Sequence, residues 1–358
     1  MVKEIALKKS FEKKDTMIVK GIAILLMLFY HLFESQELLV QQNVNYKPFS
    51  QNVFLMLSGY GNICVAIFAA LSAYGITKGL MSKEGCSLSE MLKEAVGRCG
   101  KLIGNFAVMF ISVNVVWCTY FNYAGLYGTG WQGGMFAIMD MLGLAQLFGT
   151  PTLNMTWWYM ELAIVIIFAV PFIYLLVRKV GAYAVILGVL LPLTVQMNED
   201  IKRYLVVVVV GVVAARENWF EKLFAWKLNR VWKALVCIAL IALSLLFRQN
   251  YMVHTYFLWL ADAPIAILLC WFGAEILGSV PVIRQILAFF GKHSMNIYFV
   301  HTFFYMAIHQ KFIYSFHYAG LIFLILAMVT LAYSVVLELI KTGGKMLWNK
   351  AEVRFQKH

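Results

Sequence analysis

Successive runs of about 20 mostly apolar residues, joined by short charged connections, make the lipid bilayer the solvent in which this chain folds. Hydropathy places the runs near 17–39, 53–76, 102–122, 157–177, 181–198, 203–215, 234–248, 255–277, 294–312 and 319–340. The expected fold is all-α: a polytopic integral membrane protein of about ten transmembrane helices. Only 13% of the residues are charged while 62% are apolar, too little charge to clothe a soluble domain of 358 residues. The run MFAIMDMLGLAQLFGT, 134–149, is short and carries Asp140, so it reads as an interfacial or re-entrant helix, not a crossing.

The net charge of +12 sits in basic clusters between apolar runs, not interleaved with aromatics on one face. That pattern sets topology and excludes a nucleic-acid partner. With the N-terminus in the cytoplasm, 25 of the 30 Lys and Arg residues fall on the cytoplasmic side and 5 outside, which places both termini in the cytoplasm. The opening MVKEIALKKSFEKKD leads into an apolar run with no small-residue cleavage site, so the first helix is expected to remain. A single integral domain is expected over 1–358, with cytoplasmic segments at 1–16 and 341–358. The six cysteines lack metal-ligand spacing, and no metal site is expected. No GxGxxG, P-loop, HExxH or GxSxG context is present, which removes nucleotide-hydrolase, zinc-protease and esterase readings.

Ionisable groups inside spans are costly to insert and mark function by default. Lys20 and His31 lie eleven residues apart in the first span. Eleven steps of about 100° complete three turns to within about 20°, so the two share a helix face about 16 Å apart along the axis. Glu34 follows on the same face and is placed to hold one ring nitrogen of His31, making the other a base. The bland alternative is a snorkelling lysine and a histidine bonded to a carbonyl. Glu161 lies one turn into the apolar helix that opens TWWYMELAI, where Trp157, Trp158 and Tyr159 form either an interface belt or a sugar-stacking platform. Asp262, two residues before Pro264, is a second intramembrane carboxylate. His301 is expected a third of the way across from the inside, His293 in an inner loop, and His254, His309 and His317 in outer loops or helix ends. Arg98 and Lys101 are either phosphate ligands or topology anchors.

KGIAILLMLFYH, with Lys20 and His31, and FFGKHSMNIYFVH, with Ser294, Tyr298 and His301, resemble two stations of the membrane-bound acyltransferase-3 family of bacterial polysaccharide and peptidoglycan O-acyltransferases. AIFAALSAYGITKGL, the pair Arg98 and Lys101, and TWWYMELAI are similar to further family segments. The resemblance implies a bacterial cytoplasmic-membrane enzyme that moves an acyl group, usually acetyl, from cytoplasmic acyl-CoA to a hydroxyl of an extracytoplasmic glycan or lipid-linked sugar. No permanently bound cofactor is implied. Catalytic roles fall on His31, Glu34 and Glu161; acyl-CoA phosphates on Lys20, Arg98 and Lys101; the acceptor on Trp157, Trp158, Asp262 and His301. The rival reading is a transporter or flippase with Asp262, Glu161 and His301 as a proton relay.

Overall fold

The computed structural model describes residues 10–83, 85–250, 253 and 257–355, with side chains to 343. His254 and the basic residues Lys3, Lys8 and Lys9 lie outside the described residues. The helices are α1 (Lys13–Phe33), α2 (Gln36–Gln41), α3 (Gln51–Gly59), α4 (Cys64–Met81), α5 (Leu88–Trp117), α6 (Tyr123–Tyr127), α7 (Gly130–Met141) and α8 (Tyr159–Val180). They continue with α9 (Ala184–Thr194), α10 (Glu199–Arg216), α11 (Trp219–Phe224), α12 (Arg230–Gln249), α13 (Leu258–Glu275), α14 (Pro281–Thr302), α15 (Gln310–Tyr314) and α16 (Ala319–Phe355). Among the described residues there is no sheet; Asn45 and Tyr318 form an isolated bridge.

Local chemistry sets several boundaries. The Glu12 backbone N–H donates to the Asp15 carboxylate at 2.9 Å and starts α1. Ser87 and Glu90 form a reciprocal cap at the head of α5. Gly181, at φ 61°, ends α8 and lets the chain turn back as α9.

Seven stretches among the described residues are long and apolar enough to cross a membrane, and one of them, Met155–Thr194, contains both α8 and α9. Two long helices fall outside that set. α10 opens with Glu199, Asp200, Lys202 and Arg203, and α14 carries Arg284 and Lys292. Both are buried over much of their length: every residue from Val206 to Ala215 is buried, and so are ten of the last thirteen residues of α14, while its opening residues 281–286 are exposed. The second half of α10, buried on all sides, shows no amphipathic stripe. The peripheral α9 and α12 instead expose Leu187, Leu190, Val231, Leu235, Leu243 and Leu246, an apolar outer surface suited to lipid chains.

The closest approach in the bundle joins α1 and α14. A methyl group on Gly21 would overlap the Leu287 carbonyl oxygen, and one on Gly291 would overlap that of Met17, with the Gly21 amide nitrogen also against it. Small residues let two backbones meet in this way. Met17 and Gly21 face Leu287 and Gly291, and further along His31 faces His301, so the two helices run parallel. α4 runs the other way: Gly61, just before it, packs on Leu26 and Tyr30, while Tyr74 reaches Phe11.

Replacing Gly291 by Ala is expected to push α14 off α1 at a cost of about 1–3 kcal/mol. The loss is read as a lower unfolding temperature in detergent, with Gly320→Ala, which meets nothing within 4 Å, as the neutral control.

Candidate active site

His31 and His301 lie ten residues beyond Gly21 and Gly291 respectively. At 1.5 Å per residue, two parallel helices in contact at the glycines carry both imidazoles to one level about 15 Å away. Their ring centroids are 5.1 Å apart at 41°. His301 therefore stands near the far end of its helix and not a third of the way in from the start. The apolar window began at 294 because Arg284 and Lys292 mask the first turns, whereas α14 begins at Pro281. For the same reason His293 is a buried residue of α14, its Nδ1 2.8 Å from the Ser334 hydroxyl, and not a loop residue.

His31 keeps 19% of its side chain exposed, and its Nδ1 is 3.1 Å from Glu34 Oε1. A carboxylate accepts, so Nδ1–H donates, and in the neutral imidazole Nε2 is then the basic nitrogen. His301 is fully buried; its Nδ1 lies 2.6 Å from the Tyr298 carbonyl oxygen, and its Nε2 has no hydrogen-bond partner. Tyr298 and Tyr305 stack near its two sides, with centroids 6.0 and 5.9 Å away. Tyr305 belongs to a π-helical turn, Phe303–Ala307, that follows α14. Such turns widen the backbone spiral and recur at functional sites.

A loop from 142 to 158 closes this end. Asp140, at the end of α7, accepts from the Tyr127 hydroxyl at 2.6 Å, the Thr152 hydroxyl at 2.8 Å and the Leu153 N–H at 2.6 Å. Burial pushes its carboxyl above the ordinary carboxylate range, against those donors. Asn154 then donates to the Thr302 hydroxyl, the Trp157 indole to the Phe299 carbonyl at 3.0 Å, and the Tyr298 hydroxyl to the Thr156 carbonyl. Asp140 thus organises the loop that pins the last turn of α14 around His301.

The other residues singled out by sequence sort by end. Glu161 and Trp158 line a groove of about 180 Å³ at the His31 end, together with Gln146, Asn198 and Asp200. Trp157 is enclosed by Phe106, Phe110 and Phe303 and offers no open ring face. Asp262 is buried in an ion pair with Arg248 at 2.8 Å, with Arg203 at 3.6 Å, and Arg248 also donates to Asn62. Lys20, Arg98 and Lys101 share the opposite end, where α1 starts and Arg98 lies across Gly79 of α4. Lys20 is half-buried and makes no hydrogen bond or ion pair among the described residues; Lys101 is exposed; Arg98 is held by Glu94 at 2.6 Å, which also takes Lys83. No cluster of three or more His, Cys, Asp or Glu suited to a metal occurs among the described residues.

Arg203, Arg248 and Tyr305 have no site role by sequence, and Tyr298 is marked only as part of the FFGKHSMNIYFVH segment. Arg248 had a signal: a carboxylate inside a span needs a cation, and Arg248 ends the preceding apolar helix. Tyr305 had none, because Tyr is common throughout the chain.

Asp140→Ala leaves three donors without an acceptor, with an expected loss of about 2–4 kcal/mol seen as a lower unfolding temperature. Trp157 fluorescence should change with it as the loop loosens.

A family model described as an acyltransferase domain, acyltransferase-3, matches residues 17–339. No curated protein and no solved structure matches the chain.

Proposed function

The chain belongs to the acyltransferase-3 family, and from that premise we propose that it carries an acyl group, acetyl in the first instance, from cytoplasmic acyl-CoA to a hydroxyl of an extracytoplasmic glycan or lipid-linked sugar. The observation that carries the reading is the His31–Glu34 pair at one end of α1 and the unpaired Lys20 at the other, on one helix. In this proposal ten helices cross the bacterial cytoplasmic membrane: α1, α3 with α4, α5, α8, α9, α10, α12, α13, α14 and α16. Both termini are then cytoplasmic, as the distribution of Lys and Arg favours.

Lys20, Arg98 and Lys101 would hold acyl-CoA phosphates at the cytoplasmic mouth, and the pantetheine arm would follow α1 toward His31. His31 Nε2 takes the proton of the acceptor hydroxyl as the oxygen attacks the thioester carbonyl. The new C–O bond forms, the C–S bond breaks, and the imidazolium returns its proton to the thiolate. Glu34 on Nδ1 stabilises that imidazolium. The groove with Trp158 and Glu161 gives the rest of the acceptor a place to lie, with an aromatic face for a sugar ring and a carboxylate for its hydroxyls. A proton-relay transporter is less well supported, since Asp262 is already clamped by two guanidinium groups.

His31→Ala, inserted normally, should lose about 10²–10⁴-fold in transfer of labelled acetyl from acetyl-CoA to membrane glycan; wild-type transfer by that variant would end the assignment. For the donor site, Lys20→Ala should weaken CoA binding about tenfold in calorimetry, as expected for one charge-assisted contact, and Lys20→Arg should restore it. Unchanged affinity in Lys20→Ala removes Lys20 from the donor site.

A further inference from the structure

The two imidazoles at the centre of the site present acceptors and no donor. On His31 the Nδ1 position is taken by Glu34, so in the neutral form that acts as a base the lone pair is on Nε2. On His301 a carbonyl can only accept, so the Nδ1 held by Tyr298 carries the proton. A second proton on Nε2 would create a fully buried imidazolium with no carboxylate in hydrogen-bond contact, which burial makes costly. His301 Nε2 is therefore a buried lone pair, and no donor reaches it. The charged and titratable neighbours do not change this. The Tyr30 hydroxyl is drawn to Glu34, Tyr298 donates to the Thr156 carbonyl, Tyr305 stacks on the His301 ring, and Arg203 points to Asp262.

Leaving a buried acceptor unmet has a cost, and the donor that meets it must come with the ligand. With ring centroids 5.1 Å apart, the two imidazoles are near enough for one small molecule with O–H donors on adjacent carbons to reach both. We propose that the acceptor is a 1,2-diol: one hydroxyl donates to His31 Nε2 and is acylated, while its neighbour donates to His301 Nε2 and fixes which oxygen reacts. This rests on the acyl-transfer reading and adds to it a substrate class, a ring or chain with vicinal hydroxyls and not an isolated primary alcohol. His301 is then the residue that sets regiospecificity. A site built to receive a hydroxyl rejects the analogue that lacks it, because the buried partner is again left unpaired.

The test uses full-length protein in detergent with ¹⁵N-labelled histidine, the His301 resonances being assigned by their loss in His301→Gln. The probes are trans-1,2-cyclohexanediol and cyclohexanol. The expected result is an unprotonated His301 Nε2 whose resonance moves on adding the diol and stays with the mono-ol. A protonated Nε2, an equal response to both alcohols, or a response to neither overturns the proposal. In the same preparation, transfer from labelled acetyl-CoA should favour the diol about 10- to 100-fold in kcat/KM. His301→Phe should bring that preference close to one, and retention of the full preference in this variant overturns the assignment to His301. Absence of transfer to any alcohol, with the resonance behaving as expected, would instead strike the acyl-transfer reading and leave the diol site standing.

Discussion

Two backbones meeting without side chains between them, at Gly21 and Gly291, set the geometry on which the site depends. Inside a membrane no hydrophobic effect drives helices together, so close packing of small residues supplies the attraction. Because the helices run parallel from that contact, residues equally far along them stay level. His31 and His301 meet for that reason, although 270 positions separate them in the chain. Any side chain at the crossing would wedge the helices apart and separate the imidazoles with them.

Several buried groups have named partners: Asp262 pairs with Arg248 and Arg203, Asp140 accepts from Tyr127, Thr152 and Leu153, and Asn154 donates to Thr302. The Nε2 of His301 is one of several buried polar atoms without a partner among the described residues, and it is the one carried by the imidazole beside His31, where an incoming ligand would meet it. The loop pinned by Asp140 supports the last turn of α14, and the π-helical turn beyond it brings Tyr305 back over the ring. These contacts lock the imidazole in one tautomer, which a reactive site needs more than it needs overall stability.

Much of this could be read from residue order. Most of the apolar windows fall on a long helix, 294–312 being the one that starts midway along α14 and runs past its end, and the segment around Asp140 is a short helix followed by a loop. The common face of Lys20 and His31 follows from periodicity alone, and the 3.1 Å contact of His31 with Glu34 follows from their spacing. What hydropathy could not give was the depth of His301 and His293, since Arg284 and Lys292 occupy the exposed side of α14 and so break the apolar window over its first half. Nor could it pair Gly21 with Gly291: with 25 glycines in the chain, local sequence gives no sign of which two will touch. Trp157 shows the same limit, because an aromatic cluster at a helix start reads alike whether its rings face a ligand or, as here, the interior.

The account stands on His31 and His301 acting on one substrate at one place, and a double-mutant cycle on acyl transfer measures that most directly. Rates from acetyl-CoA would be compared for His31→Ala, His301→Ala and the double variant. Coupled residues are non-additive, so removing His301 after His31 should cost less than about threefold further. Losses that multiply as independent factors would contradict the account and place the two histidines in separate roles.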